Sequence, residues 1–129
     1  VTLRLLNMGC TEVSLGDTTG NALPDEMHRL LSVLCRELSS TQLAGHFHDT
    51  AGRALQHIAM AFDDFGLSTF DSSTGGLGGC PYAPGAKGNV ATEKVVDFFE
   101  NRGIATGIDR DKLLQAKTFI QSFISVDAS

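Results

Sequence analysis

The sequence predicts an α/β fold built on a parallel sheet, and three observations lead there. Short runs with the two-residue period of a strand interleave with longer runs whose apolar residues recur at helical spacing. The strand candidates begin near residues 11, 42 and 67, about the separation of successive βα units. Each is followed by a helix candidate, and strands joined by crossover helices run parallel.

The chain opens with Val1 and an amphipathic helix carrying Leu3, Leu5 and Leu6, with no capping residue before it; Gly9 ends it. Thr11 to Gly16 reads as a strand with Val13 and Leu15 on one face, and Asp17 stands at its carboxyl end. Pro24 suits the first position of a helix whose face is Met27, Leu30, Leu31, Leu34 and Leu38. Ser39 and Ser40 break that pattern, and Gln42 to His48 forms the second strand. Ala54, Leu55, Ile58, Ala59, Phe62 and Phe65 make the next helical face, stopped by Gly66. Leu67 to Asp71 is the third strand, and a glycine-rich loop runs from Ser72 to Asn89. Thr92 or Asn89 is placed to cap a helix with Val95, Val96 and Phe99, and Asp109 a last one with Leu113, Ala116, Ile120 and Ile124.

A doubly wound sheet and a (β/α)8 barrel share this order. A complete barrel takes roughly 250 residues. With 129 residues and three strands, the chain supplies at most the last three units of one, and the uncapped start fits a piece of something longer. Hydrophobic residues make up 42% and charged residues 19%, enough for a core in one domain. The formal charge of −5 argues against a nucleic-acid surface, which needs clustered cations. No apolar run approaches the roughly 20 residues that span a bilayer, so no membrane segment is expected. Cys10, Cys35 and Cys80 are too few for a disulfide framework and read as reduced, intracellular thiols.

Candidate chemistry gathers at the strand carboxyl ends, where α/β folds bind ligands. His46 and His48 in H-F-H-D share one strand face, so they can hold one divalent ion or be two satisfied histidines. His28 and His57 fall in helices and read as surface. Asp17 either caps its turn or serves a site at the same edge, where Asp71, Ser72 and Ser73 repeat the polar ending. Six of the 14 glycines lie between Gly75 and Gly88, including Gly75, Gly76, Gly78 and Gly79; such a loop permits close backbone approach or motion over a site. Walker and dinucleotide spacings are both absent. Cys80 sits in this loop as a thiol with no evident structural task, whereas Cys10 and Cys35 read as buried fillers. Asn89 caps a helix or lends an amide oxygen to a metal; two imidazoles and an amide oxygen suit octahedral Mg or Mn better than tetrahedral zinc.

The segments S-L-G-D-T-T-G from Ser14, H-F-H-D-T from His46, and F-D-S-S-T-G-G-L-G-G-C-P-Y-A-P-G-A-K-G-N-V-A-T-E from Phe70 to Glu93 closely resemble hydroxymethylglutaryl-CoA lyase. The last is long and specific to that lyase, whereas H-x-H is shared with the wider superfamily of isopropylmalate and homocitrate synthases. The resemblance covers nearly the whole chain. It implies the C-terminal part of a (β/α)8 TIM barrel, with residues 1–129 forming a partial catalytic domain that lacks the N-terminal strands. It implies cleavage of 3-hydroxy-3-methylglutaryl-CoA to acetyl-CoA and acetoacetate, the chemistry of leucine degradation and ketogenesis, with Mg or Mn. It carries metal-ligand roles to His46, His48 and Asn89, the role of catalytic loop cysteine to Cys80, and that of an active-site acid to Asp17. It further implies an acyl-CoA substrate, a homodimer in the complete protein, and a bacterial cytoplasm or mitochondrial matrix. The family's first strand supplies an acidic ligand and an arginine that precede this sequence, and Ala51 stands where the family usually has Tyr. The helix before Gly66 is one residue longer. A related synthase and a non-catalytic fragment are the alternatives.

Overall fold

The computed structural model describes residues 1–79 and 87–124. The chain runs α1 (Thr2–Asn7), β1 (Val13–Asp17), α2 (Pro24–Leu34), β2 (Leu43–Phe47), α3 (Ala54–Phe65), β3 (Thr69–Asp71), α4 (Thr92–Glu100) and α5 (Arg110–Ile124), with one-turn 3₁₀ helices at Ser40–Gln42 and Thr74–Gly76. The three strands form one parallel sheet in the order β1-β2-β3. The register pairs Gly16 with His46 and His46 with Asp71, so residues two apart along each strand share a face.

The two faces differ in kind. Leu15, Leu43 and Phe47 point into a core completed by Met27 and Leu31 of α2, Ile58 of α3, and Val95 and Phe99 of α4. Every crossover helix therefore packs against the same face. Ser14, His46 and Asp71 occupy the opposite face, where they bond to one another. A doubly wound sheet carries helices on both faces, whereas a barrel keeps its helices outside and its polar chemistry at the inner edge. One-sided burial thus favours the barrel arrangement.

Local chemistry accounts for most boundaries. Pro24 opens α2, and Glu26 accepts the Leu23 N–H at 2.9 Å. Gly66 ends α3 at φ 71°, a left-handed turn that a Cβ disfavours. Asp109 Oδ1 accepts the Lys112 N–H at 3.1 Å and caps α5.

Several expectations are corrected. The strands are shorter than the alternation suggested: a 3₁₀ turn takes Ser40–Gln42, and β3 starts at Thr69. Neither Thr92 nor Asn89 caps α4; Ala91 holds that position without a side-chain bond. Leu30 is exposed, although Met27 and Leu31 are buried. The α3 stripe is rotated so that its buried residues are Ala54, His57, Ile58 and Ala61. His57 is therefore a fully buried core residue, edge-on to Phe47 at 5.6 Å, and not a surface one. Cys10 is exposed at the α1–β1 junction, because α1 has no buried residues and little covers that turn. Cys35 is partly buried, and burial pushes its thiol pKa up.

Candidate active site

The carboxyl edge of the sheet brings three segments together, the ends of β1 and β2 and the stretch around Asn89. The Asp17 carbonyl accepts the His48 N–H at 3.4 Å, and the Phe47 carbonyl accepts the Val90 N–H at 3.2 Å. His48 forms an antiparallel bridge with Asn89. The Asp49 N–H donates to Gly88 O at 2.9 Å. Through these backbone bonds β2 places His46 and His48 on the inner face and draws Asn89 against them.

The imidazoles of His46 and His48 lie with ring centroids 5.4 Å apart, a separation at which two rings can turn toward one small ion. His46 Nδ1 is 3.3 Å from Asp71 Oδ2, which also accepts the Ser14 hydroxyl at 2.7 Å. A carboxylate accepts, so His46 donates from Nδ1, which leaves Nε2 as the ring nitrogen free to face an ion. His48 Nδ1 is buried and has no hydrogen-bond partner among the described residues. Asn89 Nδ2 donates to Leu77 O at 3.0 Å; because that partner is an acceptor, the amide oxygen lies on the other limb. An oriented imidazole, an orphaned buried imidazole nitrogen and an amide oxygen are donor types that fit a divalent cation. No group of three His, Cys, Asp or Glu able to hold a metal exists among the described residues, so this set needs oxygen donors from elsewhere to fill its coordination.

Asp17 shares the edge but not the face. Its register partner is Phe47, so its side chain turns toward the helices. There it is buried, and it accepts from Gly20 N at 3.0 Å, Ala22 N at 3.1 Å and the Thr19 hydroxyl at 3.5 Å. The structure thus gives this carboxylate the turn-holding position, next to His48 through the backbone.

The glycine stretch approaches the site as closely as its composition allows. Gly75 N–H donates to both carboxylate oxygens of Glu93, at 3.0 and 3.2 Å. The Asn89 N–H donates to Gly78 O at 3.3 Å, and a Cβ on Gly78 would stand 2.8 Å from Asn89 Nδ2. A Cβ on Gly88 would overlap the Gly78 carbonyl oxygen. Gly76 packs by Asn89 O and Ala91, and a Cβ on Gly79 would meet nothing within 4 Å among the described residues. Cys80 lies outside the described residues.

Two supports escaped the sequence reading. Glu93 holds the glycine turn, and Asp49 joins three elements: Oδ1 accepts the Ala54 N–H at the start of α3, and Oδ2 takes the Lys94 ammonium at 3.0 Å. Asp49 follows His48 and Glu93 follows the Asn89 segment, so adjacency to the ligand candidates was the available signal. The pairing of Asp71 with His46 spans 25 positions, and nothing local marks it.

Comparison with known proteins places the chain in a family and a fold. A family model described as HMGL-like matches residues 1–120. The mitochondrial hydroxymethylglutaryl-CoA lyase of Pongo abelii is 51% identical over 120 residues, covering 93% of this chain and 37% of that enzyme. The crystal structure of the HMG-CoA lyase from Brucella melitensis superposes with a TM-score of 0.90 at 48% identity, over 95% of this chain and 43% of that one. An Acinetobacter baumannii HMG-CoA lyase, solved in complex with coenzyme A and 3-methylmalate, superposes at 0.86 and 40% identity, over 96% of this chain and 40% of that one. The chain spans well under half the length of the relatives it matches, and its sheet is part of the barrel those enzymes form. Among the described residues no helix is long and apolar enough to cross a membrane. With relatives that are named lyases, a shared fold and a matching model over nearly all its length, the chain belongs to the HMGL-like family.

Proposed function

We propose that this chain supplies part of a barrel active site that cleaves 3-hydroxy-3-methylglutaryl-CoA into acetyl-CoA and acetoacetate. The observation that carries the reading is the juxtaposition of His46, His48 and Asn89 at the carboxyl edge, with Asp71 orienting the first imidazole. His46, His48 and Asn89 hold Mg or Mn in this proposal. A bound cation supplies Lewis acidity, lowering the pKa of the substrate's tertiary hydroxyl and fixing its orientation.

The remaining work falls to the chain. The tertiary hydroxyl gives its proton to a water at the site, the carbon-carbon bond breaks, and acetoacetate and the enolate of acetyl-CoA remain; that proton afterwards restores the thiol of Cys80. Cys80 gives its thiol proton to the enolate carbon, and the glycine segment carrying it keeps water from the reacting atoms. Gly75, Gly76, Gly78 and Gly79 let that backbone come close. Asp17 is a positioning residue: it fixes the turn Asp17–Ala22 and, through its carbonyl, the His48 backbone. The products assign the reaction to leucine degradation and ketone-body formation. The active protein is a homodimer in the cytoplasm of a bacterium or the mitochondrial matrix of a eukaryote.

The test is Mn(II) titration followed by an acetoacetate-release assay, on the chain and on a barrel completed with a relative's remaining strands. The reading predicts Mn uptake that His48→Ala abolishes, and turnover in the completed barrel that Cys80→Ala lowers by orders of magnitude while Mn binding persists. Mn affinity unchanged by His48→Ala refutes the ligand assignment. Condensation of an acyl-CoA with an oxo acid, in place of cleavage, shifts the reaction to a synthase.

A further inference from the structure

Lys94 stands in the first turn of α4, where the free N–H groups of a helix already carry partial positive charge. A cation there is locally unfavourable, and a residue that breaks the rule of its own element points to a partner elsewhere. That partner is Asp49, whose Oδ2 takes the Lys94 ammonium at 3.0 Å across 45 positions of sequence. The Asp49 side chain is only 11% exposed, and its Oδ1 accepts the Ala54 N–H at 3.3 Å. A carboxylate so placed needs a countercharge, and among the described residues Lys94 is its one ion-pair partner.

Asp49 directly follows His48. Its N–H donates to Gly88 O at 2.9 Å, one residue before Asn89, and the Val90 N–H donates to Phe47 O at 3.2 Å. The bridge between His48 and Asn89 therefore lies between two backbone bonds. The Thr50 hydroxyl extends the same seam by donating to Lys87 O at 2.8 Å. Lys94 closes a ring on this seam: Asn89 leads into α4, the lysine returns to Asp49, and Asp49 is bonded back to Gly88. The turn from which it reaches is anchored on its other side, because Glu93 accepts the Gly75 N–H with both carboxylate oxygens.

We infer that Lys94 is a positioning residue. Through Asp49 it holds the end of β2 against the stretch before α4, and so sets the spacing of the His48 imidazole and the Asn89 amide. The inference rests on the ligand roles proposed above for those two residues. Without the ammonium, the Asp49 carboxylate turns toward water and loosens the seam beside it.

The experiment is amide hydrogen exchange on the metal-free chain, read by NMR, with Mn(II) titration of the same chain. The variants are Lys94→Met, Lys94→Arg, Asp49→Asn and the double Asp49→Asn/Lys94→Met, each checked for folding by circular dichroism. Lys94→Met is expected to speed exchange of the Asp49 and Val90 N–H groups about fivefold while the β1–β2 ladder is unchanged, the loss of one half-exposed ion pair read as local opening. Lys94→Arg keeps the charge and the donors and should restore the parental rates. The double variant should match either single one, because each removes the same bond. Mn affinity should fall about threefold in Lys94→Met, although loss of a positive charge near a cation site by itself strengthens cation binding. Tighter Mn binding in Lys94→Met, or unchanged exchange at Asp49 and Val90, overturns the inference. So do equal acceleration in the β1–β2 ladder, which marks general destabilisation, and additive effects in the double variant, which mark separate roles. Failure of the lyase reading shows separately, as Mn uptake indifferent to His46→Ala and His48→Ala, a result on which the metal-free exchange does not depend.

Discussion

Replacing Asp17 by alanine removes the acceptor that holds the β1–α2 turn. Its carboxylate takes the Gly20 N–H at 3.0 Å and the Ala22 N–H at 3.1 Å, and hydrogen bonds to a charged group contribute about 1.5–3 kcal/mol each. Two features reduce the sum. Gly20 N–H also reaches the Asp17 carbonyl at 3.1 Å, and Ala22 is only half-buried, so water can replace part of its loss. The expected destabilisation is therefore about 2–3 kcal/mol for Asp17→Ala. Asp17→Asn keeps one acceptor oxygen but sets an amide N–H2 against the other donor, for about 1–2 kcal/mol. Urea unfolding followed by far-ultraviolet circular dichroism measures both, since the chain has no tryptophan and one tyrosine. The midpoint should move while the slope stays constant. Because Gly20 O accepts the Ala51 N–H at 3.1 Å and Asp17 O takes the His48 N–H, Mn affinity should fall modestly with the turn. An alanine variant within about 0.5 kcal/mol of the parent refutes the turn-holding role. Abolished Mn binding at unchanged stability shows instead that the carboxylate acts directly at the cation.

Three further outcomes follow from the same geometry. Burial lowers the His57 pKa, and both its ring nitrogens lack partners among the described residues, so protonation is less favourable in the folded state than in the unfolded one. The unfolded chain takes up a proton below about pH 6.5. The contribution is hence intact above that pH and lost as pH falls toward the lower folded-state value, at a slope approaching about 1.4 kcal/mol per pH unit; His57→Met should flatten this limb in urea titrations at pH 5–7, and an unchanged limb counts against it. Gly20→Ala should cost at least about 2 kcal/mol and weaken Mn binding, because φ is +67° and a Cβ would meet Thr50 N at 2.8 Å and His48 O at 2.9 Å; a variant of parental stability contradicts this. Between the two cysteines described, Cys10 should be alkylated faster than Cys35, whose partly buried thiol has a raised pKa; peptide mass spectrometry with limiting iodoacetamide decides the order.

The sequence alone determined the element order, the parallel sheet and the sharing of one sheet edge by His46, His48 and Asp17, because strand and helix periods and the punctuation by Pro24, Gly66 and Asp109 are local properties. The lyase-like segment carried the family, because its length leaves little room for coincidence. Tertiary structure decided what depends on partners distant in the chain. His57 reads as surface until Phe47 and the α3 rotation bury it. Asp17 shares an edge with His48, yet strand alternation and the donors of the following turn send its carboxylate to the helix side. Asp71 becomes the orienting group of His46 only when β3 lies beside β2, and Lys94 meets Asp49 only when α4 packs against the end of β2. Local pattern fixes which face a residue favours within its own element; which charges and donors meet there is set by the packing of elements against one another.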